Sequence, residues 1–538
     1  LRSLVGSEMC IRDRFSTQNV HLVDSSGTRW YECISESWAI AMEKQYIFNR
    51  RTLLSGAVAV TTIGLLAACG GGSKKEDKVK APGKGAKPEE LYNINSHPVS
   101  DLKQGGELRI PVTAIGPDFN IWSQGGSSYS TARVLSTMRT ARLYKVTADG
   151  AYTLDKDYCE KFEVGKKGNK VAVAIKMNPK AKFNDGTPID IKALRATWKI
   201  HQEPGGKYNI VTAGPYPHIE SIEPEGKDGV IQVVFKNPYY PIEDLFAYIA
   251  HPALEDPEVF NKGFVDKPRP EYSSGPFTVK EDGWNSSSKT FTVVANEKWW
   301  GEKPLLDRII FRALEAGASR AAFKNGEIDA VVASTPTAYA ELKDTNGAQI
   351  RRGQRLFSGG LNLNPNHIKD AKVRKAIFVG TDRQALANVN FQGLPYEEDV
   401  PGSMVLMPFS PLYEDNFPKP EGGDRKAAAQ KILEEAGYTK GSDGFYEKDG
   451  KKLEYRVTVF SDDPTSKNVG QNFVEIMKDI GLHIELNPEA GLNFNEVISN
   501  KEYDITFSGY SVGAEPTTGT QQFYYSKDNN CLLYTSDA

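Results

Sequence analysis

The sequence predicts an α/β protein built in more than one lobe. A chain of 538 residues is too long for one ordinary domain. From residue 105 onward, short stretches of strand and helix periodicity interleave without an obvious repeat. Hydrophobic residues make up 39% and aromatic residues 10% of the chain, enough to bury real cores.

The balance of 66 basic against 69 acidic residues gives a net charge of −3 and no global attraction to nucleic acid or anionic lipid. Five cysteines occur with no C-x-x-C pair, so neither a disulfide framework nor a zinc site is expected. The seven histidines are scattered. H-E-x-x-H, a phosphate-binding G-x-x-x-x-G-K-[ST] and a strand-linked G-x-G-x-x-G are all missing, so no metal and no cofactor is expected.

Both ends of the chain are set aside. LRSLVGSEMCIRDR and CLLYTSDA resemble translated sequencing-adapter read-through, and residues 1–41 are read as non-native leader. From Met42, a basic stretch precedes the apolar run Leu53 to Leu66, as in a secretory signal covering 42–68. The run is short for a bilayer span. Leu66-Ala67-Ala68-Cys69 resembles the bacterial lipobox, which implies a lipid on the Cys69 thiol and an extracytoplasmic protein anchored to a bacterial membrane. Asn49 to Leu54, with Arg50-Arg51, also resembles a twin-arginine export motif. Residues 69–104 are rich in Gly, Lys, Pro and Glu and read as a flexible tether.

Folded structure is expected to begin at Gly105-Gly106 with a strand from Glu107 to Val112. Val171 to Met177 alternates as a strand does, and Asp190 to His201 spaces its apolar residues like a helix face. Helices are expected at Arg425 to Ala436, ending at Gly437, and at Val469 to Ile480, ending at Gly481. Strands are expected at His483 to Leu486 and Tyr503 to Phe507.

Four stretches carry a family resemblance. Lys182-Phe183-Asn184-Asp185-Gly186-Thr187-Pro188 is followed by a helix carrying Trp198. Ser274-Gly275-Pro276-Phe277 is paired with Asn296-Glu297-Lys298-Trp299-Trp300-Gly301. Gly326-Glu327-Ile328-Asp329-Ala330 comes third, and Val373-Arg374-Lys375-Ala376 leading to Thr381-Asp382-Arg383 comes fourth. In order and spacing they resemble the family 5 extracellular solute-binding proteins, the peptide-binding components of ABC importers. The resemblance spans roughly residues 105–525. Read without the family, Asn184-Asp185-Gly186 is a turn sequence, and Trp198, Trp299 and Trp300 are packing anchors rather than solute contacts.

The resemblance implies a two-lobe, type II periplasmic-binding-protein-like fold with an inserted subdomain in the first lobe. Residues 105–356 would form that lobe, 357–520 the second, and 521–538 a truncated return to the first. It implies capture of a peptide or other small solute between the lobes, delivery to a membrane permease and its ATPase subunits, a monomeric protein, and no catalysis. The loops it places at the cleft hold Asp118, Phe119, Asn120 and Trp122; Ser334 and Thr335; Phe357 and Ser358; and Gly509, Tyr510, Ser511 and Glu515. Peptide-binding members usually carry an aspartate in a G-W-x-x-D-x-x-x-P segment. Gly509 to Pro516 is a residue shorter and has Val512 and Gly513 there, which implies less reliance on a free peptide amine.

Two other readings are open on the residues alone. Gly509-Tyr510-Ser511-Val512-Gly513 fits the G-x-S-x-G of a serine hydrolase, although Pro516 breaks the helix an elbow requires and no histidine follows His483. A structural surface lipoprotein is the other, and it predicts no cleft.

Overall fold

The computed structural model describes residues 8–12, 79–80, 83, 91 and 97–511, except 124, 139–140, 147–151, 203–205, 240–241, 354–356, 398–399 and 404–405. The leader strand β1 is Glu8–Arg12, followed by β2, Glu107–Val112, and helix α1, Tyr129–Ser136. Next come β3 (Cys159–Lys167), β4 (Lys170–Met177), α2 (Ile191–His201), β5 (Ile219–Glu225) and β6 (Val230–Phe235). The chain continues through β7 (Phe277–Asn285), β8 (Thr290–Ala295), β9 (Arg308–Ala313), α3 (Ala316–Lys324), β10 (Ala330–Val332), α4 (Pro336–Leu342) and β11 (Ala348–Arg352). The last group is β12 (Phe357–Leu363), α5 (Ala371–Gly380), α6 (Arg425–Glu435), β13 (Glu454–Phe460), α7 (Pro464–Ile480), β14 (His483–Glu489), α8 (Phe494–Ser499) and β15 (Ile505–Ser511).

The first lobe is built on the sheet β7–β8–β9–β2. Alternation in β2 turns Leu108, Ile110 and Val112 inward, and β9 does the same with Ile309, Phe311 and Ala313. The two strands pair in parallel with Leu108 opposite Ile309, Ile110 opposite Phe311 and Val112 opposite Ala313, so both apolar sets face one core. Asp329 secures this edge: Oδ2 accepts from the Arg109 backbone N–H at 2.8 Å and from its Nε at 3.0 Å. The acidic residue of the Gly326 to Ala330 motif therefore clasps a strand rather than a solute.

Between β2 and β9 the chain makes a second, antiparallel sheet, β3–β4–β6–β5, with its own core of Val173, Ile175, Leu194, Ile222, Val233 and Phe246. Two of the sequence motifs tie it to the first sheet. Asn296 Nδ2 donates to Asn184 Oδ1 at 2.9 Å and to the Gly275 carbonyl at 2.7 Å, while Asn184 Nδ2 donates to the Pro270 carbonyl at 2.9 Å. Gly186 takes φ 98° in the same turn, a conformation that side chains disfavour. Trp299 and Trp300 pack around Tyr158, as expected of anchors, and each indole N–H reaches a backbone carbonyl.

The second lobe is the sheet β12–β15–β13–β14, in which β13 runs parallel to both β14 and β15. Helix α7 covers it, with Phe473, Met477 and Ile480 in a core shared with Val457, Ile484 and Ile505. The helix starts five residues earlier than its apolar spacing predicts, because Asp463 caps it through the Thr465 N–H at 2.8 Å and Pro464 opens the first turn. Its expected end holds: Gly481 at φ 104° receives the C-terminal turn. The helix at Arg425 and the strand at His483 also form, the latter running three residues further, to Glu489.

Two elements come from segments that the sequence left outside the fold. β1 is the central strand of the sheet β10–β1–β11 and is antiparallel to both neighbours. Val79–Lys80, within the tether, pair in parallel with Tyr396–Glu397.

His201 closes α2 inside the first lobe, 3% exposed, with Nδ1–H donating to the Thr197 carbonyl at 2.7 Å. Burial lowers its pKa to about 4, against a smaller opposing pull from that carbonyl. The unfolded ring binds its proton near pH 6.5 and the folded ring only near 4, so this stability is complete above 6.5 and is lost as pH falls between them. At about 1.4 kcal/mol per pKa unit, the loss is roughly 3 kcal/mol. Denaturant titrations from pH 7 to 4 should show a shallower pH slope in His201→Gln than in the wild type. Equal slopes would mean that the ring is solvated.

Candidate functional site

The lobes meet at loops that follow strand ends. On the first lobe these are residues 113–128 after β2, 314–317 after β9 and 333–337 after β10. On the second they are 461–465 after β13 and 490–495 after β14. A crevice outside the carboxyl ends of strands is where α/β sheets place ligands.

Asp463 is the centre of the contact. Its Oδ2 accepts from Arg320 Nη1 at 3.0 Å and from Thr335 Oγ1 at 3.1 Å, while its Oδ1 caps α7. Arg320 Nε also donates to Glu341 Oε2 at 2.9 Å. The Asp463 and Arg320 side chains are only 3% and 7% exposed, so the pair is desolvated. Neighbouring bonds run the same way: Gly317 N–H donates to Asp462, Thr337 and Thr465 hydroxyls meet at 3.2 Å, and Leu492 N–H donates to Glu315 Oε1 at 3.1 Å. A Cβ on Gly317 would lie 2.8 Å from Asp462 Oδ2, so only glycine permits this approach.

The chain crosses between lobes from β11 into β12, and β15 comes back beside that crossing. β12 and β15 are antiparallel with Phe357 opposite Ser511, Ser358 opposite Tyr510 and Gly359 opposite Gly509. Five expected site residues, Phe357, Ser358, Gly509, Tyr510 and Ser511, are thereby brought together on two adjacent strands. Thr335 stands at the lobe contact, where its hydroxyl also caps α4 through the Ala338 N–H at 3.1 Å, and Ser334 precedes it, half-buried.

The loop after β2 behaves differently. Phe119 is fully buried, edge-on to Trp284 and tilted against Phe291. Asn120 Nδ2 donates to the Phe260 carbonyl at 2.8 Å and its Oδ1 accepts the Trp122 N–H. Trp122 stacks on Phe260 and meets His201 edge-on. Asp118 accepts from the Asn120 N–H and the Ser123 hydroxyl. These side chains are spent on the first-lobe core and its turn, because an apolar ring at a strand end gains more from burial than from a wet crevice. Glu515 and Cys69, with the signal segment, lie outside the described residues.

Asp463, Arg320, Glu341 and Asp462 were not anticipated. The signal for them was Asp462-Asp463-Pro464, which reads as a helix start and shows nothing of a distant arginine. Cys159 is also accounted for: it is buried, its Sγ lies 3.1 Å from the Lys161 carbonyl, and burial pushes the thiol pKa up to about 12, which makes it an inert core residue. Ser511 stays in ladder register with Phe357, whereas an elbow nucleophile leaves its strand. Among the described residues no cluster of His, Cys, Asp or Glu could hold a metal, and no helix is long and apolar enough to cross a membrane.

Residues 166–531 match the family described as bacterial extracellular solute-binding proteins, family 5 Middle. The oligopeptide-binding protein OppA of Mycobacterium tuberculosis strain H37Rv is 28% identical over 444 residues, covering 81% of this chain and 73% of OppA. Among solved structures, the Bacillus subtilis oligopeptide-binding protein AppA in complex with a nonapeptide shares the fold at TM-score 0.62 and 20% identity, covering 81% of this chain and 85% of AppA. The periplasmic EDTA-binding protein EppA does so at TM-score 0.62 and 21% identity, covering 80% and 83%.

Removing one partner of a buried ion pair typically costs about 3–5 kcal/mol, and loss of a helix cap about 1 kcal/mol. Asp463→Ala should therefore lower the stability measured by denaturant unfolding by at least about 3 kcal/mol. A loss below about 0.5 kcal/mol would show that the contact is solvated and does not hold the lobes.

Proposed function

Because the chain belongs to the family 5 bacterial extracellular solute-binding proteins, we propose that it captures a peptide or related small solute between its two lobes and delivers it to an ABC permease. The observation that carries this reading is the hinge: β12 and β15 link two separately cored lobes side by side, and the lobes otherwise touch through a limited set of polar loop contacts. Hinge rotation about such strands opens and closes a crevice without disturbing either core. Closure buries the solute, and the closed pair of lobes is the form that a permease and its ATPase subunits recognise. No bond is made or broken. The names of the relatives OppA and AppA favour peptides as the solute class.

On this reading a diacylglyceryl group on Cys69 holds a monomeric protein to a bacterial membrane on its extracytoplasmic side, with the first and second lobes spanning about 105–356 and 357–520. The departure at Val512 and Gly513 leaves the segment after β15 without the usual aspartate for a peptide ammonium. An amine buried there without a counter-charge is disfavoured, so recognition rests on other parts of the solute.

Mass spectrometry of solute retained by the purified protein identifies the class directly. Calorimetric titration with free and N-acetylated forms of one short peptide then tests the amine. Comparable affinities are expected, whereas a free form binding a hundredfold tighter would show that amine recognition is intact. Retention of no peptide and binding of neither form would move the solute class elsewhere.

A further inference from the structure

Four arginines are listed among the buried polar side chains of the described structure, and three have acceptors. Arg320 meets Glu341 and Asp463, Arg142 meets Asp155 at 3.2 Å, and Arg374 donates to the carbonyls of Ile368 and Lys369. The fourth, Arg133 on α1, is 6% exposed, yet its Nε and Nη2 have no hydrogen-bond partner and no carboxylate pairs with it among the described residues. A buried cation without an acceptor is strongly disfavoured. The free atoms are informative as a pair, since Nε and Nη2 together form the side-on fork with which a guanidinium grips a carboxylate.

The surroundings of α1 supply further donors. Arg133 reaches back along its helix, as long helical side chains do, and its Cζ lies 5.4 Å from the centroid of the Tyr129 ring in the first turn. At the cap of that turn, Ser128 Oγ is buried without a partner among the described residues. The same turn faces the second lobe. Thr131 Oγ1 accepts the Gly116 N–H at 3.1 Å, and a Cβ on Gly116 would sit 3.7 Å from that oxygen and 3.4 Å from Asn495 Nδ2 on α8. Asn495 Nδ2 is likewise buried without a partner among the described residues. The positive end of the helix dipole adds to the preference for an anion.

We propose that Arg133, supported by Ser128 and Asn495, is a carboxylate-binding subsite of the interlobe crevice, so that the captured solute is an acid. This deepens the solute-binding reading and rests on it. The carboxylate is either a peptide C-terminus or an acidic side chain, and Asn495 joins the second lobe to it on closure.

The test uses the full chain and Arg133→Met, which keeps the length and removes the charge. Tri-alanine, its C-terminal amide and the amide of Ala-Glu-Ala are titrated by calorimetry at low salt. If the C-terminus is the ligand, the wild type binds tri-alanine at least tenfold tighter than its amide. If an acidic side chain is, the Ala-Glu-Ala amide binds at least tenfold tighter than the tri-alanine amide. In either case Arg133→Met abolishes the preference and leaves affinity for the tri-alanine amide unchanged. Without ligand, the variant should melt no lower than the wild type, since it loses an unpaired buried charge; a melting point more than about 5 °C lower would assign Arg133 a structural role and overturn the proposal. Peptide binding that shows neither preference, or a preference that survives in the variant, also overturns it. If none of the three peptides binds the wild type, the peptide reading fails by itself, and citrate decides the subsite. A citrate-induced rise in melting point that Arg133→Met lacks sustains it, and no rise in the wild type removes it.

Discussion

The parallel pairing of Glu107–Val112 with Arg308–Ala313 is the constraint on which the first lobe depends. It joins segments separated by almost the whole lobe, and the entropy of closing such a loop grows only slowly with its length. What makes the pairing specific is the match of two alternating faces, with Leu108, Ile110 and Val112 against Ile309, Phe311 and Ala313. A slip by one residue would turn these sets away from the core. Asp329 reinforces the register by taking both the backbone N–H and the guanidinium of Arg109. The intervening chain is not a slack loop. It folds on its own core and is tied back through Asn184, Asn296 and the Gly275 carbonyl, so the closure is held at both ends.

The contact between lobes is of a different kind. Within each lobe the strands share apolar cores, but no residue is common to the two main clusters. The lobes are joined by covalent strands and by hydrogen bonds among Glu315, Gly317, Arg320, Thr335, Asp462 and Asp463. Such bonds exchange with water at small net cost, which suits a junction that opens. Asp463 is the exception in strength: one carboxylate caps α7 and neutralises an arginine on the opposite lobe, so a movement of α7 is felt at α3 and α4.

Arg133 and Arg320 show how the same residue type acquires opposite meanings from its surroundings. Arg320 has two carboxylates and needs nothing more. Arg133 lies in a helix whose buried face is otherwise made of Ser130, Thr131, Val134 and Leu135, with an aromatic ring as its near neighbour. A cation–π contact offsets only part of the desolvation of a guanidinium.

The sequence by itself determined the α/β class, the helix starts at Asp190, Asp424 and Asp463, the stop at Gly481 and the alternation of β2 and β4. Each of these is a local property, set by a cap, a positive φ or a two-residue period. The four motifs were legible as a family pattern, and the part played by Trp299 and Trp300 as packing anchors followed from their size. The candidate site was legible only where it coincides with the chain crossing, at Phe357, Ser358, Gly509, Tyr510 and Ser511, because neighbouring strands follow from the order of elements. Phe119, Asn120 and Trp122 sit in a loop that sequence places near a strand end, and only the packing of Phe260, Trp284 and Phe291 decided that their side chains turn inward. Asp463 and Arg133 read as an ordinary cap and an ordinary helical charge. What separates them is the presence of Arg320 beside one and of no carboxylate beside the other among the described residues, and such partners are brought together from distant parts of the chain by burial alone.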